Sequence, residues 1–400
     1  MLQQLKNKCI KAERKGTTKL VYKQQLVEGE DNVAVVKIPL REYFIKEVAM
    51  LSTLNHPNIV KYDKIYLDSN NAWLIQPWLD RSISELTGKI HESDLKIIAL
   101  QMLDVLSYLK SKGIIHRDID SNNIMIDIKN DEIRAVLIDF DISTSMNNLC
   151  CLLDTNVYDV SEAMKPPEIA ISGTYSYEAD MWALGLTLFI VFTGDLTEEE
   201  SCALSDPNCD VAGTLETLGM KSSELRNVIS NMLNPDPKDR LEPDECIMLL
   251  GGQPVDYTSK NPSFNLKELT EEDSEFRCKV MMWFDEVMAD LEIQEGIITY
   301  YSLITFDRLN SLLNDTDEIP LLLTGCLGLA LVLTDHKVKI DHLAKYKGTT
   351  SKDIYKAMCT IMELLNSEIL LKLPENLSME GMLETLISLA NYTYPCELLL

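Results

Sequence analysis

The chain has 400 residues, which is too long for one ordinary compact core and predicts two domains. Hydrophobic residues make up 46% of it and charged residues 25%, the proportions of a globular protein in water. The net charge of -26 at pH 7 argues against a protein that binds nucleic-acid phosphates, which needs a basic face, and favours basic partners.

The cysteines and the apolar segments indicate where the protein works. Ten cysteines show no Cys-x-x-Cys spacing and the chain starts with a polar segment, so we expect reduced thiols in the cytoplasm or nucleus. The longest apolar run, Ile319 to Leu333, is shorter than the roughly 20 residues that cross a bilayer. It predicts a buried helix and no membrane partner.

The N-terminal part of the chain predicts strands and two helices. Alternating apolar residues predict strands over 20–23 and 33–38. Phe44 to Val48 opens an amphipathic helix, and residues 73–79 predict a strand that turns polar at its end. A periodic apolar face then predicts a helix from Ser93 to Lys112, with Gly113 as its stop.

The segment from Ile115 to Ile124 is the one around which these elements are organised. It contains His116-Arg117-Asp118 and then Asn123, and Asp139-Phe140-Asp141 follows. This spacing resembles the catalytic core of the eukaryotic serine/threonine protein kinases. The resemblance implies that Asp118 accepts the proton of a substrate hydroxyl, and that Asn123 and Asp139 hold Mg²⁺ against the phosphates of ATP.

The resemblance also implies the residues that hold ATP. Val33-Ala34-Val35-Val36-Lys37 matches the strand whose lysine, here Lys37, grips the phosphates while Ala34 lies against the adenine. Glu47 stands at the position of that lysine's ion-pair partner. The remaining implied ATP contacts are the gatekeeper Gln76, the backbone of Pro77 and Leu79 beside the adenine, and Met125 at the pocket floor.

The loop that covers the phosphates in kinases is degraded in this sequence. Arg14, Gly16 and Lys19 stand at its three glycine positions, so only Gly16 keeps the close backbone approach that glycine permits. Two interpretations stay open for Arg14, Lys15 and Lys19. Their charges replace some of the missing backbone contacts to phosphate, or they form a solvated basic face.

Two core residues depart from the kinase pattern. Asp120 occupies the place of a lysine that contacts the transferring phosphoryl group, so a catalytic position carries the opposite charge. The Asp120 side chain is a handicap that Asp120→Lys would relieve, or it turns outward, or it meets a metal. Asp141 replaces the glycine after Asp139-Phe140 and removes a flexible hinge.

Further matches lie downstream of the catalytic loop. Lys165 to Glu168 resembles the end of a kinase activation segment, and the resemblance pairs Glu168 with Arg240. Asp180 matches a buried residue that supports the catalytic loop. Ser161 stands where a residue braces the catalytic aspartate.

The activating phosphosite of the kinases would fall at Asn156, with Thr155 beside it. Of the three arginines that hold such a phosphate, Arg117 remains, whereas Lys46 and Thr144 occupy the other two positions. The sequence therefore does not favour activation through a phosphate at this place. Leu54 to Lys61 resembles the cyclin-dependent kinases in particular.

Residues 251–274 are polar, contain Gly and Pro, and end in acidic residues, so they predict a linker. The remainder predicts helices only, the last of them opened by a capping box from Thr350 to Asp353. Five helices with an apolar third one resemble a cyclin box, and the resemblance pairs Arg277 with Asp307. Pro320, and His336 or Lys337, replace the residues by which cyclins contact a kinase.

The sequence thus predicts an α+β fold class: a bilobal protein kinase domain over 1–250, a linker over 251–274 and an all-α cyclin-like domain over 275–400. The leading hypothesis is a serine/threonine protein kinase that uses ATP and Mg²⁺ on a protein substrate and is activated in cis by its own cyclin-like domain. The alternatives are a pseudokinase scaffold and a decoy, which would bind other kinases or regulators through the cyclin-like domain. A small-molecule phosphotransferase fits the region from Pro166 to Trp182 less well.

Overall fold

A computed structural model gives the fold of the chain. The residues that the structure describes are 6–9, 11–15, 19–26, 31–39, 42–52, 54–68, 70–129, 132–145, 166–172, 175–194, 204, 206, 209–257, 271–293, 296–310, 319–333 and 340–365.

The strands are short and alternate with helices in the first half of the chain. They are β1 (Arg14–Lys15), β2 (Leu20–Gln24), β3 (Val33–Pro39), β4 (Lys64–Leu67), β5 (Asn71–Pro77), β6 (Arg81–Ser82), β7 (Ile114–Ile115), β8 (Ile124–Lys129), β9 (Glu132–Leu137) and β10 (Thr144–Ser145).

Helices make up most of the rest of the described chain. They are α1 (Glu42–Ser52), α2 (Glu92–Ser111), α3 (Pro167–Ser172), α4 (Tyr177–Thr193), α5 (Val211–Thr217), α6 (Ser223–Met232), α7 (Pro243–Leu249), α8 (Glu271–Asp290), α9 (Gly296–Asn310), α10 (Ile319–Leu333), α11 (Ile340–Lys347) and α12 (Ser351–Leu365).

The chain divides into two compact units. The first lies within Met1–Pro39, Leu54–Tyr66 and Asn71–Lys260, and the second within Leu40–Thr53, Leu67–Asn70 and Asn261–Leu400. The division at Lys260 falls inside the predicted linker. Helix α1, which lies within the predicted kinase domain, groups with the C-terminal helices.

The N-terminal sheet of five strands has the order β1-β2-β3-β5-β4, so the β-branched strand β3 lies at its centre. Leu20 and Trp73 are the cross-strand partners of Lys37, whereas Gln76 is a partner of Ala34. Successive side chains of a strand point to opposite faces, and directly paired residues share a face. Lys37 and Ala34 therefore lie on opposite faces of the sheet.

The face that carries Lys37 is covered by a small apolar core. Tyr22, Val35 and Trp73 are buried there, and Cys9 and Leu20 pack against them. The rings of Tyr22 and Trp73 stack with their centroids 6.2 Å apart. This core anchors the N-terminal residues to the sheet.

Two smaller sheets bracket the predicted catalytic loop. Strands β6, β8 and β9 form a three-stranded sheet, and β7 pairs with β10 through Ile115 and Thr144. Because β7 ends at Ile115 and β8 begins at Ile124, the loop between them is held at both ends by strand pairing. Strand β9 ends at Leu137, two residues before Asp139.

Helices α2 and α4 form the apolar centre of the helical part of the first unit. Helix α2 begins after His91, whose side chain accepts a hydrogen bond from the N–H of Ser93. The helix therefore starts one residue before Ser93, the predicted first residue. Helix α4 is apolar on all sides and is accordingly buried. A Cβ at Gly185 would come within 2.7 Å of the Met232 Cβ, so only glycine permits α4 and α6 to pack this closely.

Residues near both ends of the predicted linker, 251–274, have defined structure. The hydroxyl of Tyr257 donates a hydrogen bond to the Asp104 carboxylate at 2.9 Å and lies 3.0 Å from His56 Nε2. Its ring also packs edge-on against Tyr108, with centroids 5.1 Å apart. Helix α8 already begins at Glu271, because the acidic end of the predicted linker forms its first turn. Composition alone could not show that Tyr257 has a packing site on α2.

The second unit contains α1 and the helices α8 to α12. Four consecutive residues of α1, Val48 to Leu51, are each at most 4% exposed. Consecutive residues are about 100° apart around a helix, so this turn is covered on nearly every side. Helices α10 and α12 both contact α1.

Helix α10 packs closely on α12, and it begins and ends as its apolar run predicts. A Cβ at Gly325 would lie 2.9 Å from Ile361 Cδ1 and 3.0 Å from the Ala357 Cβ, so glycine permits the approach. At the start of α12, the Thr350 hydroxyl accepts from the N–H of Asp353, the cap that the sequence predicts.

No helix among the described residues combines the length and the apolar character needed to cross a bilayer. The Arg277 side chain, His336 and Lys337 lie outside the described part of the chain, so the Arg277–Asp307 pair stays a prediction. Pro320 is exposed in the first turn of α10.

Candidate active site

The loop that contains Asp118 is anchored by a buried carboxylate. Asp180, on α4, accepts hydrogen bonds from the N–H groups of His116 at 2.7 Å and Arg117 at 2.9 Å. Burial raises the pKa of Asp180 to about 7, and the two N–H donors oppose that shift. This aspartate therefore ties α4 to the backbone immediately before Asp118, as the resemblance implies.

His116 is the second anchor of the loop. Its Nδ1 accepts from the N–H of Asp118 at 3.3 Å, and its Nε2 lies 3.2 Å from the carbonyl oxygen of Ile138. These contacts require a neutral imidazole with its proton on Nε2, and burial lowers the pKa of His116 to about 4. The ring also meets Phe140 edge-on, with centroids 4.6 Å apart. His116 thus links the Asp118 loop to the Asp139 segment.

Two residues of the site have positive φ angles, which residues other than glycine rarely adopt. Arg117 has φ 73° and Asp139 has φ 67°. Such backbone strain persists where the surrounding contacts hold it, and it is commonest at functional sites. Arg117 is further held by its guanidinium, which lies 4.8 Å from the ring centre of Tyr175.

Asp118 and Asn123 form the centre of the site. The Asn123 side-chain Nδ2 donates to Asp118 Oδ2 at 2.7 Å and to the Asp118 carbonyl oxygen at 2.9 Å. Burial raises the pKa of Asp118 to about 6, and the negative charges of Asp120 and Asp139 add to the effect. The hydrogen bond from Asn123 opposes it. Asp118 is therefore a positioned carboxylate with the affinity for protons that a general base needs near neutral pH.

The Asp120 side chain contacts the backbone of its own loop, whereas the sequence suggests a catalytic position for it. Its Oδ1 accepts from the N–H groups of Asn122 at 2.6 Å and Asn123 at 3.0 Å. An aspartate that caps its own turn in this way is a local structural motif. The structure gives Asp120 a positioning role, because its carboxylate holds the backbone of Asn123.

Lys19 is the cation that lies at the acidic centre of the site. Its Nζ is 2.6 Å from Asp139 Oδ1, and both side chains are largely shielded from solvent. Asp139 in turn lies near enough to Asp118 to raise its pKa. Lys19 stands at one of the three glycine positions, and that position was the only signal in the sequence for this contact.

Lys37 lies on the covered face of the sheet. Its Nζ is 5.3 Å from the centre of the Trp73 ring, its cross-strand partner. Ala34, predicted to contact the adenine, is on the opposite face. The prediction that Ala34 and Lys37 contact one nucleotide together does not hold, because their odd spacing along β3 separates them. Glu47 is on α1 in the second unit, and its pairing with Lys37 stays a prediction.

The predicted adenine contacts lie along β5, β8 and the segment after β5. Gln76 and Pro77 end β5, and buried Met125 lies on β8. Arg14 Nη2 donates to the carbonyl oxygens of Leu79 at 2.9 Å and Asp80 at 2.5 Å. The Leu79 carbonyl is thus already bonded to Arg14, a contact that the sequence did not reveal.

Glu168 and Arg240 form the ion pair that the resemblance implies. Arg240 Nη1 and Nη2 lie 2.6 and 2.7 Å from the two oxygens of Glu168. The guanidinium also donates to the carbonyl oxygens of Asn234 and Glu178 and lies 5.0 Å from the ring centre of Trp182. This pair joins α3 to the residues before α7. Gly16, Thr155 and Ser161 lie outside the described residues.

Comparisons with known proteins identify the family of the chain. A family model described as "Protein kinase domain" matches residues 7–249. Serine/threonine-protein kinase 10 of Homo sapiens is 30% identical over 217 residues, which are 50% of this chain and 21% of that protein. Serine/threonine-protein kinase RUNKEL of Arabidopsis thaliana is 29% identical over 209 residues, 50% of this chain and 15% of that protein.

Meiosis-specific serine/threonine-protein kinase mek1 of Schizosaccharomyces pombe is 28% identical over 231 residues, 53% of this chain and 50% of that protein. The chain therefore spans at most half the length of these three relatives. A crystal structure of Rad53 1-466 in complex with AMP-PNP superposes with a TM-score of 0.47 at 23% identity, covering 60% of this chain and 62% of that one.

The donor atoms of the site suit the cofactors of this family. Protein kinases use ATP and Mg²⁺, and magnesium prefers oxygen ligands from carboxylates and carboxamides. Asn123 and Asp139 would hold the metal, and the like charges that raise the pKa of Asp118 indicate a site that a cation stabilises. The family model covers more than half of the chain, so the chain belongs to the protein kinase family, with a bilobal protein kinase domain over residues 7–249.

Proposed function

We propose that the chain is a serine/threonine protein kinase that transfers the γ-phosphoryl group of ATP to a hydroxyl of a protein. The observation that carries this proposal is Asp118, a carboxylate with a pKa of about 6 that is oriented by Asn123. The relatives named above are serine/threonine-protein kinases, which supports the same substrate class.

Each residue of the site would have a separate role in the reaction. Asp118 accepts the proton of the substrate hydroxyl as that oxygen attacks phosphorus, and Asn123 keeps the Asp118 carboxylate in position. Asn123 and Asp139 would hold the Mg²⁺ that neutralises charge on the phosphates. Asp120 keeps the Asn123 backbone in place through its two N–H contacts.

Variants of Asp120 test the proposed function through the pH dependence of the rate. Asp120→Asn keeps an oxygen acceptor for the turn but removes a negative charge that raises the pKa of Asp118. The acid limb of kcat/KM, expected near pH 6 in the wild type, should therefore move to lower pH. Asp120→Lys removes the acceptor and should lower the rate, because the Asn123 backbone is then no longer held by this side chain.

The measurement is transfer of phosphate from ATP to a generic protein substrate between pH 5 and 8, with Mg²⁺ present. A higher rate in Asp120→Lys would show that Asp120 is a handicap at the lysine position rather than a support for the loop. A wild type that binds ATP and transfers no phosphate at any pH would contradict the proposed activity.

We further propose that the C-terminal helices act as a cyclin-like support for α1, which carries Glu47. Five described helices, α8 to α12, agree in number with the cyclin-like prediction, and the third, α10, is the most apolar. The contacts of α10 and α12 with α1 support activation in cis. A helix held in this way keeps Glu47 in one orientation.

A glycine in α10 offers a test in the full chain. Gly325→Val places atoms against Ile361 and the Ala357 backbone, so α12 must move away from α10. We expect faster amide hydrogen exchange across Glu42–Ser52 and a severalfold lower kinase rate. The matched control is Met282→Ala, on the exposed side of α8. Faster exchange in α10 and α12 with unchanged α1 exchange and rate would contradict activation in cis.

The second candidate is a pseudokinase scaffold that binds other kinases or regulators through its C-terminal helices. The observation that favours it is Asp120, a residue that cannot make the phosphoryl contact of the lysine it replaces. A wild-type chain that binds ATP, shows no phosphate transfer and retains a kinase partner would support this candidate.

A further inference from the structure

We propose that Lys19, rather than Lys37, is the lysine that holds the phosphates of ATP, and that it rests on Asp139 when no nucleotide is bound. The inference deepens the proposed function, because it names a phosphate-binding residue of the same site. It rests on strand register, on the surroundings of the two lysines and on the position of Asp139.

The register of the sheet separates the two lysines. Leu20 pairs with Lys37 and therefore shares its face. Lys19 immediately precedes Leu20, and its Nζ reaches Asp139 Oδ1 at 2.6 Å. The lysine that contacts Asp139 thus lies just outside β2, whereas Lys37 lies within β3, on the face that carries Leu20 and Trp73.

The surroundings of Lys37 explain why it stays on its own face. Its ammonium group lies 5.3 Å from the centre of the Trp73 ring, a cation–π contact. Trp73 is buried with Tyr22 and Val35 in the core on that face. The Lys37 ammonium group is therefore placed against this core.

The chemistry at Asp139 suits Lys19 for phosphate binding. Asp139 would hold the Mg²⁺ that neutralises charge on the phosphates, so a cation beside this carboxylate would also lie near the phosphates. A lysine is a compact charge with three donors on a flexible stem and commonly binds phosphate. When Mg²⁺ and nucleotide arrive, Lys19 can pass its hydrogen bonds from Asp139 to phosphate oxygens.

Lys19 also has a role before nucleotide binds. Asp118 and Asp120 both bond to Asn123, and Asp139 lies at the same site, so the site concentrates negative charge. The ammonium group of Lys19 neutralises part of this charge at Asp139. A metal ion that binds without nucleotide must displace Lys19 from the carboxylate.

The test uses the full chain and calorimetric titration with Mg²⁺ and a non-hydrolysable ATP analogue. Lys19→Met should weaken nucleotide binding about tenfold to hundredfold, the loss expected for one charge-assisted hydrogen bond. Lys19→Arg should recover part of the affinity, because it keeps the charge. The matched control is Lys64→Met, an exposed lysine in the same sheet, which should bind like the wild type.

Lys37→Met is the variant that discriminates between the two lysines. We expect its nucleotide affinity to stay within about threefold of the wild type, because the cation–π partner of Lys37 is Trp73 and not the nucleotide. A loss of affinity in Lys37→Met with normal binding in Lys19→Met would overturn the inference. Tighter nucleotide binding in Lys19→Met would also overturn the inference, because it would show that Lys19 blocks the nucleotide site. Equal melting temperatures of the variants verify that the fold is intact.

A second readout needs no nucleotide and no activity. Titration with Mn²⁺ alone, followed by electron paramagnetic resonance, should show tighter metal binding in Lys19→Met than in the wild type, because the competing cation is gone. Unchanged Mn²⁺ affinity would show that Lys19 does not occupy Asp139. If the wild type binds nucleotide but transfers no phosphate, the proposed kinase activity fails while the assignment of Lys19 stands.

Discussion

Asp118→Asn is expected to lower the rate of phosphoryl transfer by about 10²–10⁴-fold, the usual contribution of a general base, while Mg²⁺ and ATP still bind. The substitution keeps an oxygen that can accept the hydrogen bond from Asn123 Nδ2, which is 2.7 Å long in the wild type. It removes only the carboxylate that takes the substrate proton in the proposed function. Single-turnover phosphate transfer measures the rate, and calorimetric titration measures binding.

The stability of Asp118→Asn should move in the opposite direction to its activity. The folded-state pKa of Asp118, about 6, is raised above its ordinary value of 3.8, so the group favours the folded state only while it is protonated. That contribution is lost as the pH rises through about 6. At pH 8 the wild type carries a destabilised buried charge, and the neutral variant should melt at the same or a higher temperature.

The matched control for this experiment is Asp63→Asn, an exposed aspartate of the same unit that should leave rate and melting temperature unchanged. An Asp118→Asn variant that melts normally, binds ATP and transfers phosphate at more than about a tenth of the wild-type rate would remove Asp118 from the role of general base.

Arg240→Met is expected to destabilise the kinase domain by about 3–5 kcal/mol, the cost of leaving one partner of a buried ion pair alone. The Arg240 side chain is fully buried and bonds both oxygens of Glu168. Its removal also leaves the carbonyl oxygens of Asn234 and Glu178 without those donors. For a domain of this size the melting temperature should fall by about 10 °C, which differential scanning calorimetry can measure.

Two controls isolate the cause of the destabilisation by Arg240→Met. The double variant Glu168→Gln with Arg240→Met should recover part of the stability, because no buried charge remains. Lys110→Met breaks the exposed pair with Glu242 and should cost less than about 1 kcal/mol. A fall of less than about 2 °C for Arg240→Met would show that the ion pair contributes little to the fold.

Local sequence patterns determined which residues lie together at the centre of the site. Asp118 and Asn123 lie in one short loop between paired strands, so their spacing along the chain already specifies their proximity. The spacing to Asp139 is set by the β8–β9 hairpin in the same way. Helix α10 was predicted at its observed bounds. A helix that is apolar on all sides is stable when it is buried, and the apolar run is bounded by polar segments at both ends.

The turn that Asp120 makes has a local signal in the sequence. The side chain of an aspartate readily bonds the backbone N–H groups two and three residues further on, which is what Asp120 does with Asn122 and Asn123. The kinase pattern concerns only the lysine that Asp120 replaces and contains no information about this turn.

The positions of Lys19 and Lys37 were decided by tertiary structure. Strand β3 is apolar on both faces, so its sequence contains no alternation that shows which way Lys37 points. Pairing with Trp73 on β5 decides the face. The contact between Lys19 and Asp139 joins residues 120 positions apart, and no local pattern encodes such a distance.

Helix α1 shows the same division between sequence and structure. Its sequence determined that it is a helix, because apolar and polar residues recur with helical spacing. Its grouping with α10 and α12 depends on helices that begin more than two hundred residues later. Hydrophobic burial is non-directional, so an apolar surface shows that a helix must be covered without showing which partner covers it.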